Sequence, residues 1–273
     1  LYNESNAAAA FLGNDACKAV PADYDGDRRA DPMVYAGDAA DWAGLLSGTL
    51  YQGAGLTFGG SNWMAARPGW KQDLVILAFG DSITYGGGSS SDGPATGYPV
   101  RLERTLRRLY EGYIRAINSG KPGEDTYDGF ERLARVLGYT DADVLLLMEG
   151  TNDHFYGTDY DEIEENLRNM VRLALGRGMK VILATIPPVI TNAYRDRSEQ
   201  QARIAGFNPR IYRIAGDFGI PVARVYERIT SVPGWPSRLM EQRSANHPND
   251  AGYDVVRDAF LAPLVEGLEN GQY

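Results

Sequence analysis

The chain has 273 residues, of which 44% are hydrophobic, and a formal net charge of −9 at pH 7. This length is sufficient for one large domain, or for one domain with a small accessory module. The acidic excess argues against nucleic acid or an anionic membrane surface as a partner, and no apolar run is long enough to span a membrane. Because the chain starts at Leu1, we interpret it as a processed or trimmed product. We expect a secreted protein.

Residues 1–70 form the first predicted module, which is rich in β-structure. Short apolar runs separated by turn residues are typical of small strands. Four pairs of identical residues lie 47 positions apart, a period typical of propeller blades and similar β-arrays: Phe11 and Phe58, Gly13 and Gly60, Ala19 and Ala66, Pro21 and Pro68. A solitary repeat cannot bury both faces, so we expect it to pack on the downstream domain, on a partner chain, or on repeats missing from this chain.

An acidic loop, DYDGDRRAD, occupies residues 23–31 of this module. Carboxylates on alternate residues, with a glycine for the sharp turn, can surround a hard cation. The alternative is a solvated acidic turn. The loop resembles the calcium loop of FG-GAP/VCBS-type repeats, a resemblance that covers about residues 11–69. The predicted ligands of a structural Ca²⁺ ion are the side chains of Asp23, Asp25, Asp27 and Asp31 and the carbonyl of Arg29.

From residue 71 to 273, strand and helix patterns alternate, which predicts a second domain of the α/β class with a parallel sheet. The run Asp143 to Met148 is apolar without alternation, which is typical of a strand buried on both faces. The predicted strands are 74–79, 113–118, 143–148, 180–186 and 220–225, and the predicted helices are 98–110, 126–137, 160–177, 198–218 and 251–268. Five strands with helical crossovers predict a three-layer α/β/α sandwich.

A candidate nucleophile follows the first strand of this domain. Ser82 lies in the segment GDSIT, residues 80–84, where the strand ends. Ligands bind at the carboxyl ends of strands in open parallel sheets, so a serine here can act as a nucleophile if a base reaches it. The chain contains two histidines, His154 and His247, and His247 precedes Pro248 just before the last helix. His247 is therefore the candidate base.

Candidate oxyanion donors follow the next two strands. Gly123 lies after the second strand, and a glycine lets its backbone N–H approach a substrate closely. Asn152 lies after the third strand and carries a side-chain amide, and the backbone N–H of Ser82 is a third donor. Each residue alone is equally consistent with a turn, a cap or a surface position. Together, at matching strand ends, they predict a site for acyl transfer.

These segments resemble the SGNH or GDSL hydrolase family over about residues 72–268. The matching segments are Gly80 to Thr84, Asn118 to Thr126 with Gly123 at the oxyanion position, Gly150 to Asp153, and His247 to Asn249. The resemblance implies a flavodoxin-like sandwich, no catalytic metal, and hydrolysis of esters, often acetyl or short acyl groups on carbohydrates. His154 is not a catalytic position of the family, and we predict a pocket or loop residue there.

The sequence departs from the family at Ser244, which stands where an Asp is expected three residues before His247. That carboxylate normally orients the histidine and stabilises its protonated form. Three explanations stay open: a Ser-His dyad with a backbone carbonyl orienting His247, another acid such as Glu241 or Asp250, or an impaired enzyme.

The predicted function is that of a secreted serine esterase without a catalytic cofactor, acting on a small ester or an acylated carbohydrate. Transfer of the acyl group to an alcohol instead of water would need the same residues. The alternative from another class is a non-catalytic extracellular binding or adhesion protein, in which the hydrolase domain has lost activity.

Overall fold

The computed structural model describes residues 17–19, 33–36, 41–46, 52–56 and 73–272. The chain divides into two compact units, which are described separately. The N-terminal strands are β1 (Cys17–Ala19), β2 (Met33–Ala36), β3 (Asp41–Leu46) and β4 (Gln52–Leu56), and they form one antiparallel sheet in the order β1-β2-β3-β4. The proposed calcium loop, residues 23–31, lies outside the described residues. The calcium site, the repeat and the limit at residues 70/71 stay predictions.

The second unit contains a five-stranded parallel sheet. Its strands are β5 (Leu74–Gly80), β6 (Ile114–Gly120), β7 (Val144–Met148), β8 (Lys180–Ala184) and β9 (Val222–Ala223), in the order β6-β5-β7-β8-β9. All four pairings are parallel. This is the flavodoxin-like strand order, in which ligands bind where the order reverses, between β5 and its two neighbours. The predicted fold class is confirmed.

Five long helices and four short ones accompany the sheet within residues 73–272. They are α1 (Ser82–Tyr85), α2 (Tyr98–Leu109), α3 (Thr126–Val136), α4 (Thr151–Tyr156), α5 (Tyr160–Leu175), α6 (Ser198–Phe218), α7 (Val225–Thr230), α8 (Trp235–Arg238) and α9 (Asp250–Glu269). The five long helices were predicted to within a few residues, whereas the short ones were not. Among the described helices, none has the length and apolar character needed to span a membrane.

Helices cover both faces of the sheet, which gives the domain its three layers. Leu77 and Phe79 belong to a core shared with α3, α5 and α6. The opposite side of the sheet is covered in part by α9, which packs against β8 and β9. The Phe260 ring of α9 stacks on Tyr98 of α2 with ring centroids 4.9 Å apart. Buried apolar side chains on both faces stabilise the sheet, and its carboxyl edge carries the polar loops.

Two glycines let α1 lie directly against the ends of the strands. A Cβ on Gly80 would lie 2.5 Å from the hydroxyl oxygen of Thr84 in α1, and one on Gly120 would lie 2.0 Å from the backbone nitrogen of Tyr85 in α1. Such distances are far inside van der Waals contact, so any larger residue would displace α1. The close approach fixes Ser82, the first residue of α1, at the point between β6 and β7.

Candidate active site

Ser82 is placed by the turn between β5 and α1. Asp81 caps this helix, since its Oδ1 accepts a hydrogen bond of 2.8 Å from the Ile83 N–H. The Asp81 carboxyl is buried, and this desolvation raises its pKa to about 6. The first N–H groups of a helix have no acceptor within the helix, so the N–H of Ser82 is available to a bound group. Ser82 itself is half-buried.

His247 reaches Ser82 from the loop before α9. The distance between His247 Nε2 and Ser82 Oγ is 2.8 Å, a hydrogen bond between residues 165 positions apart. The loop is held as a narrow turn, because Met240 pairs with Pro248 and the Glu241 N–H donates to the His247 carbonyl at 2.9 Å. The predicted pairing of Ser82 and His247 is present in the geometry.

A glycine-rich segment after α1 lies against the His247 ring. A Cβ on Gly87 would lie 3.1 Å from His247 Nε2, and one on Gly88 would lie 2.5 Å from His247 Cβ. Gly88 also has a φ of +79°, which favours glycine. Tyr253 of α9 donates a buried hydrogen bond of 2.7 Å to the Gly87 carbonyl. The segment therefore packs closely against one side of His247.

The charges around His247 come from three loops. Burial lowers the pKa of His247, the carboxylates of Asp92 and Glu241 raise it, and the Arg197 guanidinium lowers it further, so that the net pKa lies below its usual value. A lower pKa keeps the ring neutral, which is the form that can accept a proton from Ser82. Sequence reasoning had not singled out Asp92 or Arg197, whose positions depend on how the loops fold.

The candidate acids for His247 have other partners. Glu241 accepts from the backbone N–H groups of Arg243 at 2.8 Å and Ser244 at 2.6 Å. Asp250 forms an ion pair with Arg101 at 2.6 Å, and Asn249, not Asp250, caps α9. Within residues 73–272, the His247 ring makes no hydrogen bond to a carboxylate.

Gly123 and Asn152 lie on neighbouring elements. Gly123 is exposed and has a φ of +81°, although a Cβ there would meet no atom within 4 Å, so the backbone conformation alone requires glycine. Asn152 lies in the first turn of α4, and its Nδ2 donates to the carbonyl of Glu124 at 2.7 Å. Since an amide nitrogen carries two hydrogens, one remains for a substrate. Tyr156 of the same helix donates to the Gly123 carbonyl at 3.2 Å.

A buried ion pair supports this loop. Glu124 is 1% exposed, and its carboxylate accepts from Arg132 Nε at 2.8 Å and pairs with Lys121 at 3.1 Å. Arg132 also donates to the Ser119 hydroxyl at 2.8 Å and lies 3.9 Å from the centroid of the Phe79 ring. Arg132 thereby ties the end of β6 to the residue whose carbonyl orients Asn152.

Glu149 and Asp153 are further buried carboxyl groups near this loop. Burial raises the pKa of Asp153 to about 6 and that of Glu149 well above its usual value. Asp153 accepts two hydrogen bonds from Thr126, at 2.6 Å from its hydroxyl and 2.9 Å from its N–H. These two hydrogen bonds hold Thr126, the first residue of α3, in place. By contrast, neither Glu149 oxygen has a hydrogen-bond partner in the described part of the chain.

The prediction for His154 is wrong. It lies within α4 and is 1% exposed, packed against the rings of Tyr160 and Phe207 with centroids 5.9 and 5.3 Å away. Burial, with a smaller effect of the Arg203 charge, lowers its pKa to about 4, so the ring is neutral. The short helix α4 was not predicted, and it turns His154 into the core beside α5 and α6.

The chain belongs to the GDSL-like Lipase/Acylhydrolase family, whose model matches residues 78–255. This membership makes the protein a carboxylic ester hydrolase, built on a flavodoxin-like sheet. No curated protein gives a match to this sequence.

Several solved structures are similar to this one. A lipase/acylhydrolase from Enterococcus faecalis is 24% identical, with a TM-score of 0.59 over 69% of this chain and 93% of that chain. A variant of Axe2, an acetyl xylan esterase from Geobacillus stearothermophilus, is 22% identical, with a TM-score of 0.58 over 71% of this chain and 96% of that chain. LAE5, an alpha/beta hydrolase enzyme from the metagenome of Lake Arreo, Spain, is 24% identical, with a TM-score of 0.56 over 71% of this chain and 96% of that chain. At this level of identity the likeness shows the shared fold.

Proposed function

We propose that this protein is a serine esterase that removes acetyl or short acyl groups, on carbohydrates among other alcohols, through Ser82 and His247. The observation that carries the proposal is the 2.8 Å contact between Ser82 Oγ and His247 Nε2. The carbohydrate substrate is proposed because the similar Axe2 fold is that of an acetyl xylan esterase.

The first half of the reaction makes an acyl-enzyme. Neutral His247 accepts the Ser82 proton at Nε2 while Ser82 Oγ attacks the ester carbonyl carbon. The N–H groups of Ser82 and Gly123 and the free amide hydrogen of Asn152 stabilise the negative charge on the carbonyl oxygen. The tetrahedral intermediate collapses, the bond to the alcohol oxygen breaks, and His247 returns the proton to that oxygen.

The second half releases the acid. His247 removes a proton from water, and the resulting oxygen attacks the acyl carbon in the same oxyanion site. The bond to Ser82 Oγ then breaks, and the proton returns from His247 to Ser82. We propose that His247 acts without a hydrogen-bonded carboxylate, held instead by the narrow turn and the glycine-rich segment. Asp92 and Glu241 stabilise the protonated ring through their charge alone.

The test compares hydrolysis of 4-nitrophenyl acetate and longer acyl esters by the wild type and by Ser82→Ala, His247→Ala and the double variant. Because the two residues act as one proton-transfer unit, each single variant should lose nearly all activity, and the double variant should lose little more. Substantial turnover by Ser82→Ala would overturn the mechanism. A folded wild type without any turnover would favour the non-catalytic binding protein.

We also propose that the loop with Asp23, Asp25, Asp27, Asp31 and the Arg29 carbonyl binds structural Ca²⁺, and that the protein is secreted. The support for the metal is the alternation of carboxylates around Gly26.

A further inference from the structure

Arg197 lies at the edge of the candidate active site, and its guanidinium has no hydrogen-bond acceptor among residues 73–272. Its Nε is buried and makes no hydrogen bond, and the guanidinium forms no ion pair within residues 73–272. The guanidinium carbon lies 4.5 Å from the centroid of the Phe155 ring. A guanidinium is always charged and carries five N–H donors in a fixed plane. This group is therefore held in position while its donors stay free for an anionic partner.

The loop that carries Arg197 is fastened to the loop that carries His247. The Ile190 N–H donates to the Ala245 carbonyl at 2.9 Å, and Asn192 Nδ2 donates to the Gln242 carbonyl at 2.8 Å. On the other side, Phe155 belongs to α4, the helix that begins with Thr151 and Asn152. The guanidinium therefore contacts the helix that supplies the proposed oxyanion donor, and the loop that carries it is hydrogen-bonded to the His247 loop.

The charged residues near His247 have opposite effects on its protonation. Asp92 and Glu241 stabilise the protonated ring, whereas Arg197 opposes protonation. Arg195, an exposed residue, adds a second positive charge next to Arg197. Asp196 lies between the two arginines in the sequence, and its carboxylate accepts hydrogen bonds from the Thr191 hydroxyl and the Ser198 N–H. An anion would be repelled by Asp92 and Glu241 and attracted on the side of Arg197.

We propose that Arg197 binds an anionic group on the alcohol part of the ester, so that the enzyme prefers esters of acidic alcohols, such as acylated uronic acids, over neutral ones. This inference rests on the proposed function of Ser82 and His247. The alcohol part is assigned because His247 protonates the leaving alcohol oxygen, which must lie beside the ring. A carboxylate and a sulfonate share the required chemistry, since both present oxygen atoms to a planar guanidinium.

The experiment uses three acetyl esters of similar phenols: 3-acetoxybenzoate, 3-acetoxybenzenesulfonate and neutral 3-acetoxybenzamide. The measured quantity is the kcat/KM of each anionic ester divided by that of the neutral one. In Arg197→Gln this ratio should fall about 10- to 100-fold, the value of a hydrogen bond to a charged group. Arg197→Lys should retain part of the preference. The matched control, Arg195→Gln on the same loop, should change the ratio less than about fivefold, as exposed charges do.

Two further readouts separate binding from a structural role. Raising the ionic strength should reduce the wild-type ratio without a matching effect on the neutral ester. The acid limb of the pH profile for the neutral ester should move to higher pH in Arg197→Gln, because a charge that lowers the pKa of His247 is removed. An unchanged ratio in Arg197→Gln, with neutral-ester hydrolysis that depends on Ser82, would overturn this inference alone. Hydrolysis of none of the esters would overturn the proposed function as well.

Discussion

At the scale of single residues, the proposed mechanism requires that His247 be stabilised by surrounding charge rather than by a hydrogen-bonded carboxylate. Ser244 occupies the family's acid position, and its Oγ is buried without a hydrogen-bond partner among residues 73–272. Its backbone N–H is held by Glu241 at 2.6 Å, so an aspartate at position 244 would place a second carboxylate beside Glu241. The structure therefore gives little reason to expect a gain of activity from Ser244→Asp, and Glu241 becomes the residue to change.

Glu241→Gln removes a negative charge that raises the pKa of His247. The pKa of His247 should then fall further, so the acid limb of the kcat/KM profile should move to lower pH. If His247 works as a dyad base, kcat should fall less than about tenfold, as expected for a charge without a direct hydrogen bond. Asp250→Asn is the control, since Asp250 pairs with Arg101. A loss near 10⁴-fold in Glu241→Gln, the cost of removing a true triad acid, would contradict the dyad.

Asn152→Ala should remove one of the three proposed oxyanion donors. The loss of one such donor lowers kcat by about 100- to 1,000-fold, and KM should change little because the charge develops only in the transition state. Steady-state kinetics with 4-nitrophenyl acetate measure both constants. Asn169→Ala, at the α5 surface, serves as a control for loss of an amide. An effect confined to KM would instead assign Asn152 to substrate binding.

At the scale of elements, the site depends on three segments that close around His247: the glycine-rich segment after α1, the turn from Met240 to Pro248, and the start of α9. Tyr253 of α9 holds the first segment through Gly87, and Asn249 holds the turn through the Arg238 carbonyl at 3.0 Å. Their packing determines where the ring lies.

Gly88→Ala tests this packing. The new Cβ would lie 2.5 Å from His247 Cβ at a φ of +79°, so it should displace the ring and abolish most of the activity. Gly157→Ala is a matched control, because Gly157 has the same φ of +79° but no atom within 4 Å of the added Cβ. Both variants place an alanine at the same positive φ, and the activity of Gly157→Ala should stay near that of the wild type. Equal losses in the two variants would mean that strain, rather than contact with His247, causes the effect.

At the scale of the whole molecule, the sequence was sufficient to predict the parallel sheet, because a continuous apolar run such as 144–148 is typical of a strand buried on both faces. It also predicted that Ser82, at the end of a strand, and His247, just before the last helix, lie close together. The short helices α1 and α4 were missed because four to six residues show no helical period. Because α4 was not predicted, His154 was wrongly assigned to a pocket or loop. Arg197 could not be found, because its position depends on hydrogen bonds between two loops.

The calcium site is a prediction about the N-terminal residues. If Asp23 to Asp31 bind Ca²⁺, the ion should stabilise the folded module by preferential binding, and EDTA should lower its melting temperature. The initial esterase rate should change little, because the proposed chemistry uses no metal. Differential scanning calorimetry of the full chain with Ca²⁺ and with EDTA measures the effect, and Asp25→Asn should reduce the difference. Identical melting curves would favour the solvated acidic turn.

The central claim is that His247 activates Ser82 as a nucleophile. Diisopropyl fluorophosphate tests it most directly, because an activated serine oxygen displaces fluoride and becomes covalently phosphorylated. Mass spectrometry of the intact protein should show one added group, and the digested protein should place it on the peptide that contains Ser82. His247→Ala should react much more slowly, and Ser82→Ala should not react. A wild type that stays unlabelled, or a label that persists in Ser82→Ala, would contradict the account.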